Sequence, residues 1–275
     1  MDAVAHQIPP DPPELPEGAE PRWPAWYAWV GFLVALTAVL VFVGIASVIV
    51  GADPDDDDAT FTVVATLIQS LIFIGTAVLF ASFARKPKPW HFGLRRTRLW
   101  PAVGWAALGL VSFYVLAAVY SAIVDPEAEQ TVAQDLGSDQ GTFGLIAAGF
   151  MIVCVAPVAE EFFFRGFFYR ALRSRYSVLV AAALDGALFG LIHFDPSASE
   201  GLLILPPLAF LGFMFCLVYE KTGSLYPVIA LHSINNTIAF GVQADGWEVS
   251  AVLGPLMLLA CFLVPRATAP APALR

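Results

Sequence analysis

VAEEFFFRGFFYR, residues Val158–Arg170, is the stretch on which the reading of this chain turns. Two adjacent carboxylates, Glu160 and Glu161, and one guanidinium, Arg165, stand there among phenylalanines. The residues just before, FGLIAAGFMIVCVAP at 143–157, are almost purely apolar. An ionisable group at the centre of a membrane-spanning helix costs at least about 2.5 kcal/mol on insertion scales. Charges in such a segment therefore face a protein interior and have a role there.

The whole chain supports a membrane setting. Of 275 residues, 58% are hydrophobic and only 13% charged, against roughly 45–50% and about 25% in an ordinary soluble domain. Uncharged stretches of bilayer-spanning length recur, which predicts an all-α, polytopic transmembrane helical bundle of about eight spans. They are Trp26–Ala52, Phe61–Ala84, Leu99–Val124, one from near Thr142 into the opening motif, Ser177–Phe194, Gly201–Tyr219, Ser224–Ala244 and a short last one, Val249–Val264. Residues 1–25 are acidic and proline-rich, a composition that cannot build a core. The chain divides into that tail, N-terminal transmembrane helices over 26–124, C-terminal transmembrane helices over 142–264, and a tail over 265–275.

The connecting segments alternate in charge. GADPDDDDAT at 51–60 is acidic, RKPKPWHFGLRRTR at 85–98 basic, residues 125–141 acidic and RGFFYRALRSRY at 165–176 basic. Positive loops stay in the cytoplasm, so both termini are expected there. The net charge of −9 resides mostly in loops and tail, and no nucleic-acid footprint is visible. Cys154, Cys216 and Cys261 lie in apolar segments and read as small buried hydrophobes.

The remaining polar residues of the apolar segments are Asp185, His193 and His232, with Asn235 and Asn236 beside the last. With the fourth and fifth spans as a hairpin turning near Tyr176, Glu160 lies 16 residues before the turn and His193 17 after it. The two come out level to within one 1.5 Å helical step. Arg165 and Asp185, 11 before and 9 after, also come close in depth. Glu161 and Arg165 are four apart on one face and can pair. Glu160 is turned about 100° from Glu161 and is left free for chemistry. Phe189 with His193, and His232 with Asn236, again share a face four apart. Taken singly, Glu161–Arg165 reads as a structural ion pair and Asp185 as its neutraliser. Two histidines, a free carboxylate and an amide in three apolar helices read together as a site. His6, in the tail, and His91, in a basic loop, are given no catalytic role.

These residues resemble a family, the CAAX-processing type II endopeptidases and bacteriocin-processing (CPBP) intramembrane proteases. Its pattern EExxxR, FxxxH, then HxxxN or HxxxD is met by Glu160-Glu161…Arg165, Phe189…His193 and His232…Asn236, in order and in spacing. The resemblance covers about 142–241. Asp185 and the acidic N-terminal tail are additions to the pattern.

The resemblance implies an integral, multi-pass membrane endopeptidase that cuts a peptide bond near the cytoplasmic side. Glu160 would be general base, His193 would help hold the water, and His232 and Asn236 would donate to the carbonyl oxygen, with Glu161 and Arg165 completing the site. The implied partners are membrane lipid and a peptide or protein substrate, a membrane-anchored or lipidated one among them. Glu160, His193 and His232 could hold Zn²⁺ with an open fourth position. They could equally act without metal, Glu160 activating water directly. The zincin signature HExxH is missing, and the metal-free glutamate mechanism is slightly favoured. The alternatives are a non-catalytic scaffold or chaperone of the same fold, and a proton-coupled transporter, since carboxylate–histidine chains also mark proton relays.

Overall fold

The computed structural model describes residues 23–51, 59–124, 131–194 and 201–268. Long helices dominate: α1 Trp26–Val50, α2 Ala59–Ala84, α3 Leu99–Val124, α4 Gly141–Arg173, α5 Val178–Leu191, α6 Leu205–Thr222, α7 Leu225–Gln243 and α8 Trp247–Thr268. Among the described residues there is no strand. The protein is a helical membrane bundle. Five helices, α1 to α4 and α8, are long and apolar enough to cross a membrane by themselves. The other three expected spans correspond to shorter helices, α5, α6 and α7.

Several boundaries differ from the sequence expectation; α6, expected over Gly201–Tyr219, runs from Leu205 to Thr222. α8 runs from Trp247 to Thr268 through Pro255 and Pro265, so residues 265–268 are helix rather than tail. α5 ends at Leu191, and His193, expected inside that span, lies in the turn beyond it. Trp23, assigned to the N-terminal tail, is buried against Phe92 and Phe167, at ring distances of 5.2 and 5.7 Å. The rest of that tail, residues 1–22, lies outside the described residues, as do 269–275.

The bundle is apolar outside and aromatic within. Val48, Ile49, Trp100 and Phe143 are largely exposed, as lipid-facing side chains of a spanning helix are. Inside, Phe163, Phe164, Phe167 and Phe168 of α4 are fully buried. Phe163 stacks on Phe73 of α2 at 4.8 Å, and Phe164 meets Phe189 of α5 edge to face at 5.4 Å. α4 also contacts α7, with α1, α2 and α5 packed around it, and α6 closes against α3 and α5.

The pairing of α5 with α6 fixes the core. Gly186 and Gly190 are four apart on α5 and meet α6 without side chains, so the two backbones approach closely. A Cβ on Gly186 would sit 2.5 Å from the Ala209 carbonyl oxygen, and one on Gly190 2.9 Å from the Ala209 nitrogen. From the other side, a Cβ on Gly212 would come within 2.9 Å of Phe189.

The basic segment 85–98 is fastened to the bundle rather than left as a free loop. Phe92 packs on Phe162 at 4.5 Å. Arg95 Nε donates to the Gly223 carbonyl at 2.7 Å, Thr97 Oγ1 to that of Thr222 at 2.9 Å, and Ser224 Oγ to that of Arg95 at 2.6 Å. Segment 85–98 thus ties the α6–α7 turn to the helix that carries the two glutamates.

Because the α5–α6 contact is backbone on backbone, Gly186→Ala has no side chain to move aside. It is expected to lose about 1–3 kcal/mol, the range for overpacking, read as a lower Tm in detergent. Gly75→Ala on α2, where an added Cβ meets nothing within 4 Å, should hold or raise the Tm. Equal effects of the two would reject the close-contact account.

Candidate active site

α4 delivers the acidic pair from a distorted helix. π-helical turns at Met151–Val155 and Phe164–Tyr169 flank an α segment, Ala156–Phe163, that carries Glu160 and Glu161. Such turns are rare and occur frequently at functional sites. The first has a readable cause and consequence. The Ala156 N–H bonds to the Met151 carbonyl, five residues back. The next donor in that register would be residue 157, a proline without N–H. The Ile152 carbonyl therefore lacks its helix donor, and Asn236 of α7 supplies one, Nδ2 to O, at 2.9 Å.

Arg165 is fully buried and takes partners from three elements, although its Nε makes an ion pair without a hydrogen bond. Its Nη1 donates to Glu161 Oε1 at 3.0 Å and its Nη2 to the Gly212 carbonyl of α6 at 2.9 Å. Its Nε lies 3.4 Å from Asp185 Oδ1 on α5. The hairpin count placed Arg165 and Asp185 close in depth, and they form this ion pair. The guanidinium also lies 4.5 Å from the ring centre of Phe189 and 5.0 Å from that of Phe215. Cys216, read from sequence as an inert hydrophobe, donates its thiol to Asp185 Oδ1 at 3.1 Å.

Glu161 links this cluster to α7. The oxygen that accepts from Arg165 also accepts from His232 Nδ1 at 2.8 Å. That bond puts a proton on Nδ1 and turns Nε2 toward Glu160, whose Oε2 is 3.9 Å away. This exceeds hydrogen-bond reach but fits one shared water. Glu161 is fully enclosed, whereas Glu160 keeps a small accessible surface, 8%. The two adjacent carboxylates thus have different surroundings, one tied twice and one open.

His193 stands apart. No hydrogen bond or ion pair joins it to Glu160 among the described residues. Its Nδ1 lies 2.7 Å from the Phe189 carbonyl. A carbonyl only accepts, so Nδ1 carries the proton and Nε2 is left as an acceptor. Carbonyls in the last turn of a helix lack intrahelical donors, and His193 serves one of them. The Phe189 ring is near both imidazoles, 4.9 Å from His193 and 5.8 Å from His232. Asn236 reaches α4 at Ile152, while His232, four residues before it, reaches Glu161. His91 is buried and accepts the Lys88 N–H at 3.1 Å, a local turn contact. His6 lies outside the described residues.

A zinc site needs three protein donors and an open position. Among the described residues no group of three or more His, Cys, Asp or Glu side chains is placed to hold a metal. Glu160, His193 and His232 do not form such a group among the described residues; with Nδ1 held by Glu161, His232 would offer a metal its Nε2.

Sequence reasoning missed a second polar cluster where α4 meets α6. Glu220 accepts from Tyr169 at 2.8 Å and pairs with Arg173 at 3.0 Å. Glu220 lies just beyond the expected end of its span at Tyr219, whereas the helix runs on to Thr222. The i,i+4 spacing of Tyr169 and Arg173 was the available signal.

The Arg165 contacts generate a stability test. Breaking a buried ion pair by removing one partner costs about 3–5 kcal/mol. Asp185→Asn and Arg165→Gln should each lower the unfolding free energy in detergent by a sizeable part of that. The double variant should lose clearly less than the sum. Additive losses would mean that the two side chains act separately.

Residues 142–238 match the family model described as type II CAAX prenyl endopeptidase Rce1-like. Two curated Bacillus subtilis (strain 168) proteins are similar over part of their length. "Uncharacterized protein YyaK" is 35% identical over 96 residues, 34% of this chain and 32% of its own. "Putative membrane peptidase YdiL" is 28% identical over 91 residues, 33% of this chain and 35% of its own. The chain thus spans about a third of the length of these relatives. No solved structure matches the chain. The stretch that carries all three motifs, residues 142–238, is accordingly Rce1-like, and the resemblance to the CPBP intramembrane proteases holds over it.

Proposed function

We propose that this protein is an intramembrane endopeptidase in which Glu160 activates a water that attacks a peptide carbonyl. The observation that carries the reading is the unequal treatment of the two glutamates. Glu161 is bound by Arg165 and His232, and Glu160 is left facing His232 Nε2 at 3.9 Å. A carboxylate with no direct hydrogen bond to a cation, beside an imidazole held by a second carboxylate, suits general-base work.

In this mechanism the water gives one proton to Glu160 and directs its other O–H to His193 Nε2. The oxygen adds to the carbonyl carbon and leaves a tetrahedral oxyanion. Asn236 donates to that oxyanion from the amide N–H not used by Ile152. His232 donates from Nε2 when its ring carries both protons, with Glu161 holding Nδ1. Glu160 then passes its proton to the amide nitrogen as the C–N bond breaks, giving a carboxylic acid and a free amine, and the acid loses the water's second proton to His193 Nε2 to become a carboxylate. Every step uses side chains of this chain and one water.

The substrate class follows from the family description and the membrane setting: a membrane-anchored or lipidated peptide or protein, cleaved near the cytoplasmic face. Loop charge supports that orientation, with basic segment 85–98 and the arginines Arg170, Arg173 and Arg175 around the end of α4 on the cytoplasmic side and both termini there.

Glu160→Gln, His193→Ala and His232→Ala should each abolish cleavage while the protein still accumulates in membranes. Asn236→Ala should be milder, by about 2.7–4 kcal/mol in the barrier. Comparing membrane peptides from cells with wild-type and Glu160→Gln protein tests this and identifies substrates. Wild-type turnover by Glu160→Gln would remove the general-base assignment. A wild-type phenotype with no change in peptides would favour a scaffold. For orientation, single cysteines at Arg95 and Asp135 should label from opposite faces with an impermeant reagent. Labelling from one face would overturn the topology.

A further inference from the structure

The Asn236–Ile152 hydrogen bond is the end of a longer chain, one that leaves the three motifs and reaches α3. Asn236 Nδ2 faces a carbonyl, which can only accept. The amide is therefore oriented with its nitrogen toward Ile152 and its oxygen away. Asn236 Oδ1 then needs a donor, and Asn235 Nδ2 lies 3.3 Å from it. The Asn235 amide is oriented in turn, and its Oδ1 receives the Tyr114 hydroxyl at 3.3 Å. One acceptor-only atom, freed by a π turn and a proline, thus sets the direction of every donor from Tyr114 through Asn235 to Asn236.

This order has a chemical consequence. A free primary amide can turn over and present either its N–H groups or its oxygen. With Oδ1 and one N–H engaged, Asn236 has a single unspent polar group, its second N–H. An amide turned the other way would set Oδ1 against a developing oxyanion and oppose it. Neighbours on a helix differ by about 100° in direction, so Asn235 can face α3 while Asn236 faces α4.

Resting on the peptidase reading above, we propose that Tyr114 and Asn235 are positioning residues of the active site. They lock the Asn236 amide so that only an N–H faces the carbonyl oxygen of the bound peptide. Tyr114 lies on α3, outside residues 142–238. The Rce1-like stretch thereby borrows part of its alignment from the N-terminal helices.

Asn235 and Asn236 are the only asparagines in the chain, which makes the test direct. Protein labelled with ¹⁵N-asparagine in detergent micelles yields two side-chain amides. Asn235→Ala leaves the Asn236 pair alone and identifies it. That pair should be shifted from its wild-type position and exchange faster with water. Tyr114→Phe should shift the Asn235 pair most and the Asn236 pair detectably. Tyr120→Phe, whose hydroxyl donates instead to the Leu203 carbonyl at 2.8 Å, should move neither. Unmoved Asn236 signals in both Asn235→Ala and Tyr114→Phe overturn the proposal, whatever the activity.

A second measurement uses a fluorogenic farnesylated peptide with a CAAX end. Asn236→Ala should lower kcat by about 10²–10³-fold. Tyr114→Phe and Asn235→Ala should lower it by less, with KM nearly unchanged. In the Asn236→Ala background they should add no further loss, and independent losses there overturn the proposal. If the wild-type protein does not cut this probe, the substrate reading falls, and the amide signals still decide the role of Tyr114 and Asn235.

Discussion

A guanidinium with no exposed surface, in the middle of a membrane bundle, is the constraint to which the rest of the molecule answers. Arg165 cannot sit among phenylalanines unless anions and carbonyls surround it. It takes one partner from its own helix, Glu161, one from α5, Asp185, and a backbone oxygen from α6, Gly212. Those three partners sit on three helices, so satisfying one side chain requires a single arrangement of α4, α5 and α6. The α5–α6 crossing through Gly186 and Gly190 brings Asp185, Cys216 and the Gly212 carbonyl to one place. Arginine suits this position because its planar fork serves several acceptors at once.

The same constraint divides labour between neighbours in sequence. Glu161 is spent as a structural anion, since its Oε1 accepts from both Arg165 and His232. Through that shared atom, the ion cluster between α4 and α5 fixes the tautomer of a histidine on α7. Glu160 projects elsewhere, remains slightly accessible, and meets the other nitrogen of the same ring. A helix that carries two consecutive carboxylates can thus supply one group that orients its neighbours and one that stays slightly accessible. What separates them is about 100° of helical rotation.

Much of this was legible because helices turn spacing into geometry. The four-residue interval put Glu161 against Arg165 and Phe189 beside His193. The hairpin count brought Asp185 to Arg165 across a turn. His193 was less legible, because the end of a helix depends on local hydrogen bonding that spacing does not encode. The chain leaves the helix at Leu191, and the imidazole bonds back to the Phe189 carbonyl. Cys216 was read by composition alone, which cannot see an acceptor on the next helix. Glu220 and Tyr114 were missed for a related reason. Periodicity gives the direction of a side chain around its own helix, not the helix it will meet, and Tyr114 finds its partner 121 residues away.

The π turns mark where local sequence and tertiary structure depend on each other. Pro157 lies four residues before Glu161, inside a helix that continues through it. A proline removes one donor and crowds the turn before it, and a wider turn at Met151–Val155 accommodates it. The Ile152 oxygen left over is a liability in a bilayer, where an unpaired carbonyl has no water to turn to. Asn236 removes that liability, and in doing so brings α7 against α4 close to the glutamates. The distortion of α4 and the motif on α7 are therefore parts of one solution. The proline creates an acceptor, the acceptor selects an amide, and the amide's orientation leaves one N–H unspent. An α4 with alanine at 157 could form the ordinary hydrogen bond, and Asn236 would then have no fixed direction.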